Sequence, residues 1–156
     1  MKDILGGILV FLSFSGFILI ENVFTIQPSV TSGNGNLGLL VIICLSPIFI
    51  GSYLYTFKRT RELISKEQNK MISILVISFS LLLGGFMVFL IINYRSDLIV
   101  ALGGTPSNPD SRIFRYGWLN QYTNSIYFNA YTFILTHSLA FAIGIISMLT
   151  SKSINQ

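Results

Sequence analysis

Four long apolar runs, at residues 4–24, 37–56, 71–93 and 128–149, divide the chain and leave few folds open to it. At 1.5 Å of rise per residue, a helix of about twenty residues spans the roughly 30 Å hydrocarbon core of a bilayer. Only helices and closed barrels satisfy every backbone polar group there, and unbroken runs of this length select helices. Composition argues the same way. The 156 residues are 52% hydrophobic and only 10% charged, where a soluble domain carries about a quarter charged residues. A chain this short cannot withdraw so much apolar surface from water into one core. The expected fold is therefore an all-α integral membrane protein, a single domain of four transmembrane helices in a compact bundle.

Direction comes from residues 57–70, FKRTRELISKEQNK, which hold five of the ten basic residues: Lys58, Arg59, Arg61, Lys66 and Lys70. Basic residues flanking spans mark the cytoplasmic side. With this stretch as a cytoplasmic turn, both termini fall inside as well. Lys2, the five turn residues and Lys152 then make seven inside, against Arg95, Arg112 and Arg115 outside. The expected topology is N-in and C-in. Glu62 and Lys66 stand at i, i+4, so the turn can continue the second or third helix. The net charge of +4 is thus read as a topology signal and a contact for anionic headgroups, with no nucleic-acid role.

The first run is expected to be a retained helix, because Asp3 balances Lys2 and no small-x-small cleavage site follows it. Residues 25–36 are uncharged, and Pro28, Gly33 and Gly35 make them a loop. Pro47, inside the second run, predicts a static kink, with Ser46 or a neighbouring helix available to the freed carbonyl. The extracytoplasmic segment 94–127 has a turn-rich middle, GGTPSNPDS, at 103–111. It is preceded by an apolar stretch, 98–102, too short to span. Packing within lipid needs small residues, because lipid tails are as apolar as leucine. Ser13 and Gly16, Gly51-Ser52, Gly84-Gly85, and Ser138, Ala140, Ala142 and Gly144 supply them in all four runs.

Few residues offer chemistry. The single cysteine, Cys44, excludes an internal disulfide and a thiolate metal cluster, and it is read as a small buried hydrophobe. His137 falls near the middle of the fourth run. It is read as a neutral, hydrogen-bonded intramembrane residue, with Thr136, Ser138 or a neighbouring helix as partner, in preference to a proton relay. Glu21 and Arg95 stand at similar depth at the outer ends of their runs, where an interfacial ion pair is possible; Asp97 is an equal partner for Arg95. In 113–127, Phe114, Trp118 and Tyr122 share a face if the segment is helical, which suits an interfacial anchor on the outer leaflet or a recognition surface.

No phosphate-binding loop, zinc-protease helix, nucleophile elbow or prenylation signal is present. No metal or cofactor is expected. The function expected is that of a small non-catalytic multi-pass protein of the prokaryotic plasma membrane: a subunit, modulator or immunity-type protective factor of a membrane complex. Its partners would be the bilayer and another membrane protein or a second copy of itself. The alternatives are a component of a small-solute or proton-coupled transporter working as an oligomer, and an intramembrane enzyme.

Overall fold

The computed structural model describes residues 2–31, 35–67 and 69–154, and among these every regular element is helical. Four helices are long and apolar enough to cross a membrane: α1 (Lys2–Asn22), α2 (Leu37–Lys66), α3 (Lys70–Ala101) and α5 (Ala130–Ile154). A single turn, α4 (Asn124–Tyr127), leads into the last. Gly33, one of the expected loop formers, lies outside the described residues, as does Gln156 of the polar tail.

Asparagine side chains start three of the helices. Asn36 Oδ1 accepts the Leu39 N–H at 3.1 Å, Asn69 Oδ1 that of Met71 at 2.9 Å, and Asn129 Oδ1 that of Thr132 at 2.8 Å. Each satisfies a backbone donor that the first helical turn leaves unpaired. At Asn129 the exchange is mutual, since its own N–H bonds Thr132 Oγ1 at 2.9 Å.

Two helices outrun the expected spans. α2 continues through most of 57–70, so its 30 residues reach about 45 Å and the chain reverses only between Lys66 and Lys70. Glu62 meets Arg59 at 3.1 Å, one turn back, and Arg59 also reaches Asp3 of α1 at 3.4 Å. α3 absorbs most of the short apolar stretch 98–102, which the sequence places in the loop. It stops at Gly103-Gly104, where Gly103 turns left-handed at φ 77° and the Gly104 N–H bonds Ile99 O at 2.9 Å. That closure satisfies carbonyls the last turn would orphan. Inside α2, Pro47 has no N–H to offer Ile43 O, and the Ser46 hydroxyl donates to that carbonyl at 2.8 Å.

α5 is the hub. It packs on α2 and α3 and touches α1, so α2 and α3, consecutive in sequence, are brought together chiefly through α5. Close approach explains the order. Gly144 of α5 faces Phe57 O and Thr60 of α2, where a Cβ would stand 3.0 Å from each. Ser80 of α3 donates across the interface to Ser138 O of α5 at 2.9 Å. α1 lies on α2 with Gly6 against the Tyr55 ring and Gly16 against Phe49. Phe17 then meets Phe49 and Phe133 edge-on at 5.0 and 5.6 Å, a favoured geometry for aromatic pairs.

The distribution of residues inverts that of a soluble bundle. Ser13, Ser52, Thr60 and Ser73 are buried between helices, whereas Leu82 is 74% and Phe79 69% exposed on α3. Cys44, expected to be buried, stands on the outward face of α2. Its run is apolar on every side, so hydrophobicity alone did not reveal which face turns inward.

Candidate functional site

Two places hold the polar chemistry of the molecule: His137 within the bundle and the cap at its loop end. His137 sits one turn after Phe133 on α5, with Nδ1 3.0 Å from Phe133 O. A carbonyl only accepts, which assigns the ring hydrogen to Nδ1 and leaves Nε2 as an acceptor. Nε2 is buried and has no hydrogen-bond partner. The Phe133 ring lies over the imidazole at 4.0 Å and Tyr53 of α2 meets it edge-on at 5.0 Å. Thr136, one of the expected partners, instead bonds the carbonyls of Thr132 and Phe133 at 2.9 and 3.0 Å. Ser138 gives its carbonyl to Ser80. So His137 is held by its own helix, in an aromatic pocket shared with α2. Among the described residues, no group of three His, Cys, Asp or Glu side chains converges to hold a metal.

The cap is built from both loops on that end. Leu102, Ile113 and Tyr122 form a small core, against which Ile26, Leu98 and Ile99 pack. The first loop is stitched to the second: the Ile26 N–H bonds Gln121 O at 2.8 Å and the Tyr122 hydroxyl bonds Val30 O at 3.2 Å. At the centre, Asn36 and Asn124 exchange amide hydrogen bonds of 3.0 and 2.6 Å, and Asn124 Nδ2 also reaches Phe24 O at 3.3 Å. Asn124 is fully buried, and Gly38 is where it fits: a Cβ there would overlap its amide.

The aromatic segment is therefore not the helix that the spacing allows. Residues 113–123 form turns and bends, and regular helix begins only at Asn124. Tyr122 is buried in the cap core, Phe114 is half-buried and Trp118 is exposed, so the three share no face. Asn120 and Thr123 override the helical periodicity: Asn120 Nδ2 bonds Gly117 O at 2.7 Å, and Thr123 Oγ1 bonds Trp118 O at 2.6 Å. Such side-chain bonds offer the backbone an alternative to the helix ladder.

Glu21 and Arg95 are not brought together. The Glu21 carboxylate lies against the backbone N–H of Ala130 at the start of α5. Arg95 stacks its guanidinium over the Trp118 ring, 4.9 Å from the centroid. Asp97 does not bridge to Arg95 either: among the described residues the ion pairs are those of Arg59 with Asp3 and Glu62. Sequence reasoning missed Asn36 and Asn124, although both carried a signal, each standing immediately before a helix or in a turn.

No protein-family model matches this chain, and neither a curated protein nor a solved structure matches it. The fold and the chemistry of these two places are what bear on function. Four apolar helices of spanning length define the class: a helical chain compatible with a multi-pass membrane protein.

Proposed function

We propose that this chain is a small multi-pass protein of the prokaryotic plasma membrane, N-in and C-in, with no catalysis of its own. It acts by lateral association, as a subunit, modulator or immunity-type protective factor of a larger membrane complex. The observation that carries the reading is the position of α3. Among the long helices it packs on α5 alone in any extent, and it turns Phe79, Leu82, Phe86 and Phe89 outward. A one-sided, aromatic-rich helix supports association within the bilayer. The basic end made by α2 and the start of α3 supports the orientation.

The test is gentle solubilisation of the full chain followed by native mass measurement. The expected result is a stoichiometric complex with an unlike membrane chain, weakened by Phe79→Ala with Leu82→Ala and untouched by His137→Ala. A second reading, an oligomeric transporter component, draws support from the buried, unpartnered Nε2 of His137. It requires the opposite pattern: a homo-oligomer that carries proton or solute flux in liposomes and loses it in His137→Ala.

A further inference from the structure

Arg95 and Trp118 are used by neither reading above, and neither are Tyr94, Tyr127 and Tyr131. α3 is apolar through Ile92, and Arg95 follows within one turn, at the level where a spanning helix leaves hydrocarbon. At that level the guanidinium carbon lies over the Trp118 ring, 4.9 Å from its centroid. A guanidinium held over a ring keeps N–H groups available to a further acceptor. No carboxylate of the described residues takes them: Glu21 lies against Ala130, and Asp97 and Asp110 are exposed without bridging any arginine. Arg112 and Arg115 sit on the same loop, equally free of carboxylate partners, with Arg115 over Phe114 at 5.0 Å.

The platform is hydrogen-bonded and faces outward. The Thr123 and Asn120 bonds pin the backbone around 117–120, so Trp118 and Leu119 project from a fixed loop, 38% and 42% exposed. On the neighbouring helix Tyr131 meets Tyr94 edge-on at 6.5 Å, and Tyr127 and Tyr131 are both exposed. Aromatic residues with one polar tip collect at headgroup depth, and an arginine fork with open N–H groups matches a phosphate. A rim with both properties fits an amphipathic anion.

We propose that Arg95 and Trp118 form a binding site for the phosphate of an outer-leaflet phospholipid, with the Arg95 N–H edge on the phosphate and the Trp118 ring beneath the guanidinium at the glycerol level. This rests on the membrane reading and adds a ligand to it. Trp118 is the only tryptophan of the chain, so its fluorescence reports on the site without a label. The full chain is reconstituted in phospholipid nanodiscs containing lipids brominated near the glycerol end or near the chain terminus. The shallow bromines are expected to quench Trp118 at least about twofold more than the deep ones, as the interfacial depth of tryptophan requires. Native mass spectra of the released protein should retain a phospholipid that Arg95→Gln loses by about tenfold, the scale of one charge-assisted hydrogen bond.

If Arg95→Gln fails to reconstitute, Arg95→Lys, which keeps the charge but not the planar fork, should give an intermediate loss of retained phospholipid, and unchanged retention would overturn the proposal. Quenching of Trp118 by aqueous acrylamide but not by brominated lipid would overturn the proposal, and so would equal retention of a phosphate-free glycolipid. Displacement of the retained lipid by millimolar inorganic phosphate would assign the site to a free anion, which also overturns it. Recovery of the chain in the aqueous fraction without detergent would instead sink the membrane reading, before the lipid assay begins.

Discussion

Asn124 sits where two loops and two helices meet, and it shows what one buried amide does in such a molecule. Its side chain exchanges hydrogen bonds with Asn36 and also reaches Phe24 O. Removing Asn36 leaves the fully buried Asn124 amide short of a partner, and removing Asn124 unpairs the half-buried Asn36; an unmade buried hydrogen bond costs about 1–3 kcal/mol. Asn36→Ala and Asn124→Ala are each expected to destabilise the protein by that amount, and the double variant by clearly less than the sum, a coupling of about 1–2 kcal/mol. Unfolding of the four variants in matched micelles measures it. Gly38→Val should do worse than either, because its side chain would take the space of the Asn124 amide. His137 presents the contrary case. Its one bond lies within its own helix and its Nε2 has no partner, so His137→Leu is expected to change stability by no more than about 1 kcal/mol. A loss several times larger would show that Nε2 is engaged in the folded protein.

In the proposed bilayer setting the helices are held by close approach and by single interhelical hydrogen bonds, since apolar surface would gain nothing by leaving lipid for protein. Gly144 permits the α2–α5 contact and Gly85 faces nothing within 4 Å. Gly144→Val is expected to cost about 1–3 kcal/mol through overpacking, and Gly85→Val to stay within about 0.5 kcal/mol. The pair is compared by the same unfolding measurement, and equal effects would refute α5 as the hub. Ser80→Ala removes the α3–α5 bond to Ser138 O and should cost about 0.5–1.5 kcal/mol, loosening α3 first. Cysteines placed in α3 and α5 near this contact should then cross-link more slowly than in the parent chain.

At the scale of the molecule, the proposed orientation is a balance of charge. Neutralising Lys58, Arg59, Arg61, Lys66 and Lys70 while adding lysines to the uncharged loop 25–36 is expected to invert the chain. A reporter fused after Gln156 should then change sides. An unmoved reporter would mean that packing, not charge, sets direction. The presence of four spanning-length helices was legible in the order of residues, because each helix satisfies its own backbone and a twenty-residue apolar run announces itself wherever it packs; how far α2 and α3 run past their apolar stretches was not. Ser46 as the answer to Pro47 was legible too, since both lie on one turn. The helix order was not: that α5 lies between α2 and α3 depends on Gly144, Ser80 and Ser138 meeting across helices, and no local pattern records which small residue meets which. Nor was the cap. Phe114, Trp118 and Tyr122 have helical spacing, yet long-range bonds from Tyr122 to Val30 and from Asn124 to Asn36 fold them another way. Local sequence set what each segment is, because hydrophobicity and backbone hydrogen bonding act over a few residues. Tertiary contacts decided which segments touch, because burying a polar group requires a partner that can stand a hundred residues away, as Phe24 O does from the Asn124 amide.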